Sequence, residues 1–311
     1  MNAEPMSPFR GISLKLISVG FFLVMQTCIK AAGDVPAGQI TFFRSAFAIL
    51  PIVVYLAWLH ALASALHTNN LLGHFKRGFL GILSMVCGFY GLTMLPLPEF
   101  IAIGYASPLL AVVFAAFILR EKVRIYRWSA VFVGMMGVLV ILWPKMTLLR
   151  EGGFAAGEGL GAIAVLCGAA LGGLAMIQVR QLVETEKTPT IVLYFSLTAT
   201  LLSLISVPLG WSALTMTQAM LLITSGICGG VAQILLTESY RHAEVSVIAP
   251  FEYSSIVFGI AVSYILFGDI PTITMLIGTA IVILAGIFII FREHQLGLAR
   301  RAARKASTPQ G

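Results

Sequence analysis

A carboxylate well inside an apolar run offers the most chemistry in this sequence. Glu252 lies in the stretch Ala249-Pro250-Phe251-Glu252-Tyr253. It stands about eight residues into its run, so helical rise puts it roughly 10 Å below the nearer interface. An ionisable group at that depth is costly unless it faces a cavity or a partner. Protonated, it can donate to a bound molecule; by titrating, it can couple that molecule's movement to a proton. A plain helix–helix hydrogen bond is the structural alternative. Pro250 removes a backbone donor and bends a helix, and such breaks frame binding sites in transporters. Arg44 is about six residues into another apolar run. It can hold an anionic group, but reaching toward the interface or pairing with a carboxylate is the favoured, structural role.

Gln26, Tyr90, Tyr105, Gln233 and Tyr253 are the other polar or amphipathic residues of interest inside apolar runs. A tyrosine can stack on a planar molecule and hydrogen-bond through its hydroxyl, although each alone is more often a packing residue. Glu99, Glu238 and Glu244 stand near run ends, where water is expected to solvate them. Arg120-Glu121-Lys122 reads as a solvated turn. His60, His67 and His74 recur at seven-residue spacing, but no acid or cysteine joins them, so they make a weak metal set. Cys28, Cys87, Cys167 and Cys228 all sit in apolar runs without a CxxC pair, which favours packing over disulfides or zinc. Gly168 with Gly172, and Gly226 with Gly230, have the spacing that lets membrane helices approach closely.

The elements that must position these residues are membrane helices. Of 311 residues, 59% are hydrophobic and 11% charged, with a mean hydropathy of +0.95. Soluble domains carry about a quarter charged residues, so too few remain here to cover a water-facing surface. A crossing needs about 20 apolar residues. Ten such stretches are expected, at 11–32, 38–58, 78–95, 99–119, 126–143, 159–178, 190–209, 218–236, 245–267 and 272–291. None shows the alternation of a β-barrel strand. The first run extends too far for a cleaved signal peptide and reads as a retained helix.

Loop charge predicts the orientation. With the N-terminus in the cytoplasm, inside segments hold Arg10, Lys15, Arg77, Arg120, Arg124, Arg180 and the arginines of the tail, among others. Outside segments hold only Lys30, Lys145 and Arg150. That is a strong positive-inside bias. It accounts for the net charge of +7 by topology and anionic lipid rather than by nucleic acid. An even helix count returns the C-terminus to the cytoplasm. Trp58 and Trp128 then fall at the inner interface, Trp143 and Trp211 at the outer.

The chain also resembles itself. Glu99 to Val138 parallels Glu244 to Ile287, and Ser84-Met85-Val86-Cys87-Gly88 parallels Ser225-Gly226-Ile227-Cys228-Gly229. The repeat unit holds five helices, an odd number, so its second copy enters from the opposite side. Inverted repeats of this kind underlie alternating access. The expected fold is all-α and integral to the membrane: ten transmembrane helices as two inverted five-helix repeats, at 11–143 and 159–291, followed by a basic cytoplasmic tail at 292–311.

Several motifs then resemble the drug/metabolite transporter superfamily, in the branch built from two EamA-type halves. They are Phe42-Phe43-Arg44-Ser45, Tyr105-Ala106-Ser107-Pro108, Leu119-Arg120-Glu121-Lys122, Ala249-Pro250-Phe251-Glu252-Tyr253 and Leu266-Phe267-Gly268-Asp269. The likeness spans nearly the whole chain. It implies a central cavity lined by the first, third, fourth, sixth, eighth and ninth helices, and a cargo such as an amino acid, vitamin, nucleoside or drug. The general impression leans toward the riboflavin-importer branch. Two departures bear on the substrate: Tyr253 replaces the proline usual after the ninth-helix glutamate, and Asp269 stands where glutamate is usual.

The expected function is therefore a secondary transporter of a small organic metabolite in the bacterial inner membrane. Riboflavin leads, with amino-acid or drug export as the alternative. The expected partners are the small-molecule substrate and membrane lipid, with room for a homodimer, no nucleic acid and no cofactor. A membrane enzyme needs convergent acids, a nucleophile–base pair or metal ligands. The only aspartates are Asp34 and Asp269, both between runs. No GxxxxGK[ST] sequence marks an ATP-driven pump. No charge ring or carbonyl filter marks a channel.

Overall fold

The computed structural model describes residues 8–65, 67–68, 70–118, 120, 123–151, 155–182, 185–186, 188–242 and 249–306, all helical or irregular without a strand. Nine helices among the described residues are long and apolar enough to cross a membrane, and Phe251–Phe267 is a shorter apolar helix. Helix α1 is Pro8–Ala31 and α2 is Ala37–Trp58; a single turn, α3, is Leu62–Ala65. Helix α4 spans Leu71–Met94, while α5 (Leu97–Gly104) and α6 (Ala106–Ile118) form one broken crossing. They are followed by α7 (Ile125–Glu151), α8 (Ala155–Leu182), α9 (Thr188–Ser203) and α10 (Met216–His242). A 3₁₀ segment, Ala249–Tyr253, leads into α11 (Ser254–Phe267), and α12 is Ile273–Ala306.

Large apolar side chains such as Val54, Phe132, Leu139, Leu284 and Phe291 stand mostly exposed. In water they would form a patch of aggregation-prone surface; in a bilayer they are the lipid-facing stripes. Trp58 and Trp143 are also exposed at crossing ends. Trp211 packs on Phe42, with ring centroids 5.2 Å apart.

Small residues set how the crossings pair. A Cβ on Gly168 would stand 2.9 Å from the Ser84 carbonyl, bringing α8 onto α4. On Gly226 and Gly230 it would stand 2.7 Å from the carbonyls of Phe43 and Ala48, bringing α10 onto α2. Gly137 and Gly278 touch backbone to backbone, joining α7 to α12. Helix α1 packs on α10, α2 and α4 both pack on α9, and α5 packs on α11. The most extensive pairings therefore link the first half of the chain to the second.

Element ends differ from the expected ones where polar residues mislead. The third crossing begins at Leu71, not 78, because Asn70 caps it by accepting from the Gly73 amide at 2.9 Å. His74, Lys76 and Arg77 thus belong to the helix. His74 is buried and stacks on Tyr194, so the three histidines do not share one loop. The last helix continues to Ala306 through much of the expected tail. Glu244, Leu119, Glu121 and Lys122 lie outside the described residues.

Candidate functional site

Two breaks in the backbone meet at the centre of this arrangement. Pro108 has no amide hydrogen to offer the Gly104 carbonyl one turn back, and the helix is interrupted at Tyr105, between α5 and α6. The other break is the 3₁₀ segment containing Pro250, which ends at Tyr253. Tyr105 and Tyr253 pack edge to face, with ring centroids 5.1 Å apart. The Tyr105 hydroxyl shares a 2.6 Å hydrogen bond with Ser255 Oγ, and Ser255 also donates to the Glu252 carbonyl at 2.7 Å. Tyr253 Oη abuts Gly286 on α12, where no Cβ would fit.

Glu252 stands beside this pair with its side chain 58% accessible, and Lys15 Nζ on α1 donates to its Oε2 at 3.3 Å. Lys15 itself is 4% exposed. Its placement corrects the expectation that it is a loop charge setting topology: it lies inside a crossing and answers a carboxylate 237 residues away. The Glu252 carboxylate, open on its other side, can exchange this ammonium for a proton or for a donor on a polar ligand.

Arg44 is 7% exposed on α2. Its Nη1 points at Met85 Sδ, 3.9 Å away, and Gly229 leaves room for its Nε. Arg77 was expected among the cytoplasmic loop charges, but it lies in α4 with its guanidinium 3.5 Å from the Phe195 ring centroid. Arg44 approaches the same ring at 5.8 Å. No sequence signal distinguished Arg77 from a topological charge, since it borders the apolar run. Of the remaining candidates, Gln26 on α1 and Gln233 on α10 are half-buried, and Tyr90 is exposed on α4. Tyr105, Tyr253 and Glu252 are brought together; Arg44 belongs to the separate cluster around Phe195.

A third polar cluster lies where α5, α7 and α8 converge. Lys145 Nζ pairs with Glu99 Oε2 at 2.9 Å and with Glu158 Oε2 at 2.5 Å. Glu99 is 4% exposed, which corrects its reading as a water-solvated residue: three helices close over it. Lys30 on α1 donates to the carbonyl of Leu95, at the end of α4, at 2.6 Å. Glu238 accepts from the Tyr55 hydroxyl at 2.5 Å. No group of three metal-ligating side chains forms among the described residues.

Comparison with known proteins adds to this geometry. Residues 9–143 and 159–292 each match the EamA-like transporter family. A pseudopaline exporter of Pseudomonas aeruginosa is 28% identical over 88% of this chain and 94% of its own. An S-adenosylmethionine uptake transporter of Rickettsia prowazekii is 27% identical over 82% of each chain. A riboflavin transporter of Vibrio cholerae is 26% identical over 91% of this chain and 93% of its own. A solved crystal structure aligns with a TM-score of 0.63 over 93% of this chain and 99% of that one, at 18% identity, a likeness of fold.

Proposed function

The chain belongs to the EamA-like transporter family and is a multi-pass protein of the bacterial inner membrane, and we propose that it is a secondary carrier working by alternating access. Its ten crossings form two five-helix repeats of opposite orientation, with both termini in the cytoplasm. The repeats correspond to 11–143 and 159–291.

One observation carries this reading: two helices in equivalent positions of the repeats are both broken, and the breaks meet at Tyr105 and Tyr253 beside an accessible carboxylate. Broken helices at a repeat interface are where carriers hold substrate. The helix pairings support the symmetry. Exchanging the halves turns the α1–α10 contact into the α8–α4 contact, and α2–α10 into α9–α4, while α5–α11 and α7–α12 map onto themselves.

The substrate is a compact organic metabolite with a planar ring. An edge-to-face tyrosine pair offers a stacking surface and hydroxyls to such a ring. Riboflavin and S-adenosylmethionine, the named cargoes of two relatives, both carry one. Glu252 answers the substrate's polar edge or the coupling proton, and Lys15 holds it between cycles.

The test is uptake of labelled riboflavin and labelled S-adenosylmethionine by cells dependent on each, with and without this chain, alongside Glu252→Gln. Saturable uptake of one compound that Glu252→Gln abolishes, with membrane expression intact, is the expected result. Uptake unaffected by that substitution would remove Glu252 from the path. Uptake of neither compound would end the importer reading for these two cargoes and direct the search to export.

A further inference from the structure

Two cations stand at one aromatic ring inside the bundle, with no anion among the described residues to answer them. Arg44 and Arg77 approach Phe195 at 5.8 and 3.5 Å. Nε of Arg44 and both Nε and Nη1 of Arg77 are buried without an acceptor. No carboxylate among the described residues pairs with either guanidinium. Arg77 lies six residues from the Leu71 end of α4, about 9 Å of helix. An arginine there ordinarily reaches back to the near interface. This one runs the other way, with Nη1 lying over Gly81, a full turn deeper.

Such an arrangement is expensive. A charge inside the membrane needs a partner or water, and two like charges sharing one ring raise the cost. Cation–π contact with Phe195 returns less than an unpaired buried ion forfeits. The sulfur of Met85 is a weak acceptor. What the site lacks is an oxyanion, and guanidinium forks bind carboxylate or phosphate through paired N–H donors.

We infer that Arg44 and Arg77 form an anion subsite that receives the carboxylate or phosphate of the transported metabolite. This deepens the carrier reading and rests on it for the ligand's identity. A substrate lacking an acidic group is then disfavoured.

The experiment labels the wild-type protein in nanodiscs with phenylglyoxal, which condenses with accessible guanidinium groups, and follows each arginine by peptide mass spectrometry. Exposed Arg124 and Arg292 are internal references. Labelling is repeated with inorganic phosphate, with S-adenosylmethionine against its decarboxylated form, and with riboflavin 5′-phosphate against riboflavin. At ten times its Kd a ligand leaves about one site in eleven free, so modification of Arg44 and Arg77 slows about tenfold. The inference predicts that slowing with an acid-bearing metabolite and not with its acid-free counterpart, while Arg124 and Arg292 react unchanged. Shielding by phosphate alone identifies an anion site that takes free anions rather than this panel's metabolites, and overturns the substrate assignment. The inference also falls if neither guanidinium reacts in the free protein, if no anion slows the reaction, or if the acid-free compound shields equally well. Shielding by a metabolite that vesicles carrying the protein do not transport would leave the subsite standing and remove the carrier reading.

Discussion

Lys145→Met tests the cluster that ties α5, α7 and α8 together. The ammonium sits 2.9 Å from Glu99 and 2.5 Å from Glu158, yet the two pairs are unequal. The Glu158 side chain is 40% exposed, so water replaces its partner and the loss is about 1 kcal/mol or less. The Glu99 side chain is 6% exposed, and stranding a buried charge costs about 3–5 kcal/mol. Lys145→Met should therefore lower stability by roughly 3–5 kcal/mol through Glu99. At about 2–4 °C per kcal/mol, that is a fall of roughly 6–20 °C in Tm. Adding Glu99→Gln removes the stranded charge, and the double variant should recover to within about 1–2 kcal/mol of wild type, because an amide is far cheaper to bury than an ion. Glu158→Gln alone should shift Tm by no more than a few degrees. The assay is thermal unfolding of detergent-purified protein, read as the loss of the monodisperse peak. The reasoning fails if Lys145→Met melts with wild type, or if the double variant melts as low as the single.

Tyr105→Phe removes the hydrogen bond to Ser255 Oγ and should cost about 1–1.5 kcal/mol in the same melt, with Ser255→Ala giving a similar loss and the pair less than their sum. Gly230→Val places a side chain 2.7 Å or less from the Ala48 carbonyl and against Pro51. Because a backbone atom cannot step aside as a side chain does, the variant should destabilise by at least about 1–3 kcal/mol, seen as reduced folded yield. Gly286→Ala drives a methyl into the Tyr253 hydroxyl and should lower the melting temperature in the same assay.

The crossings were legible because the bilayer leaves the chain little choice: backbone polar groups must be satisfied within a helix, and only apolar side chains tolerate lipid. Helix ends were less so. The start of α4 was hidden by His74, Lys76 and Arg77, which look like loop residues until Asn70 is seen to cap them. Tyr105 and Tyr253 were legible as amphipathic residues inside apolar runs, though not as a pair in contact. Charge partners were not. Lys15 and Glu252 are 237 residues apart, and nothing local in either stretch names the other. Glu99 and Lys145 each stand at the margin of an apolar run, where position alone predicts solvation; only the convergence of three helices buries them. Arg77 shows the same limit, since a basic residue beside a crossing reads as a topology signal whichever way its side chain turns.

Counterflow in proteoliposomes tests the central claim most directly. Vesicles are loaded with unlabelled S-adenosylmethionine or riboflavin, diluted, and given a trace of the same compound labelled outside. A carrier that alternates between faces predicts that label transiently accumulates inside above its outside concentration and then decays, for at least one of the two, with Glu252→Gln and protein-free vesicles showing no overshoot. A channel only equilibrates the label. Entry without overshoot, saturating at no concentration, would contradict alternating access.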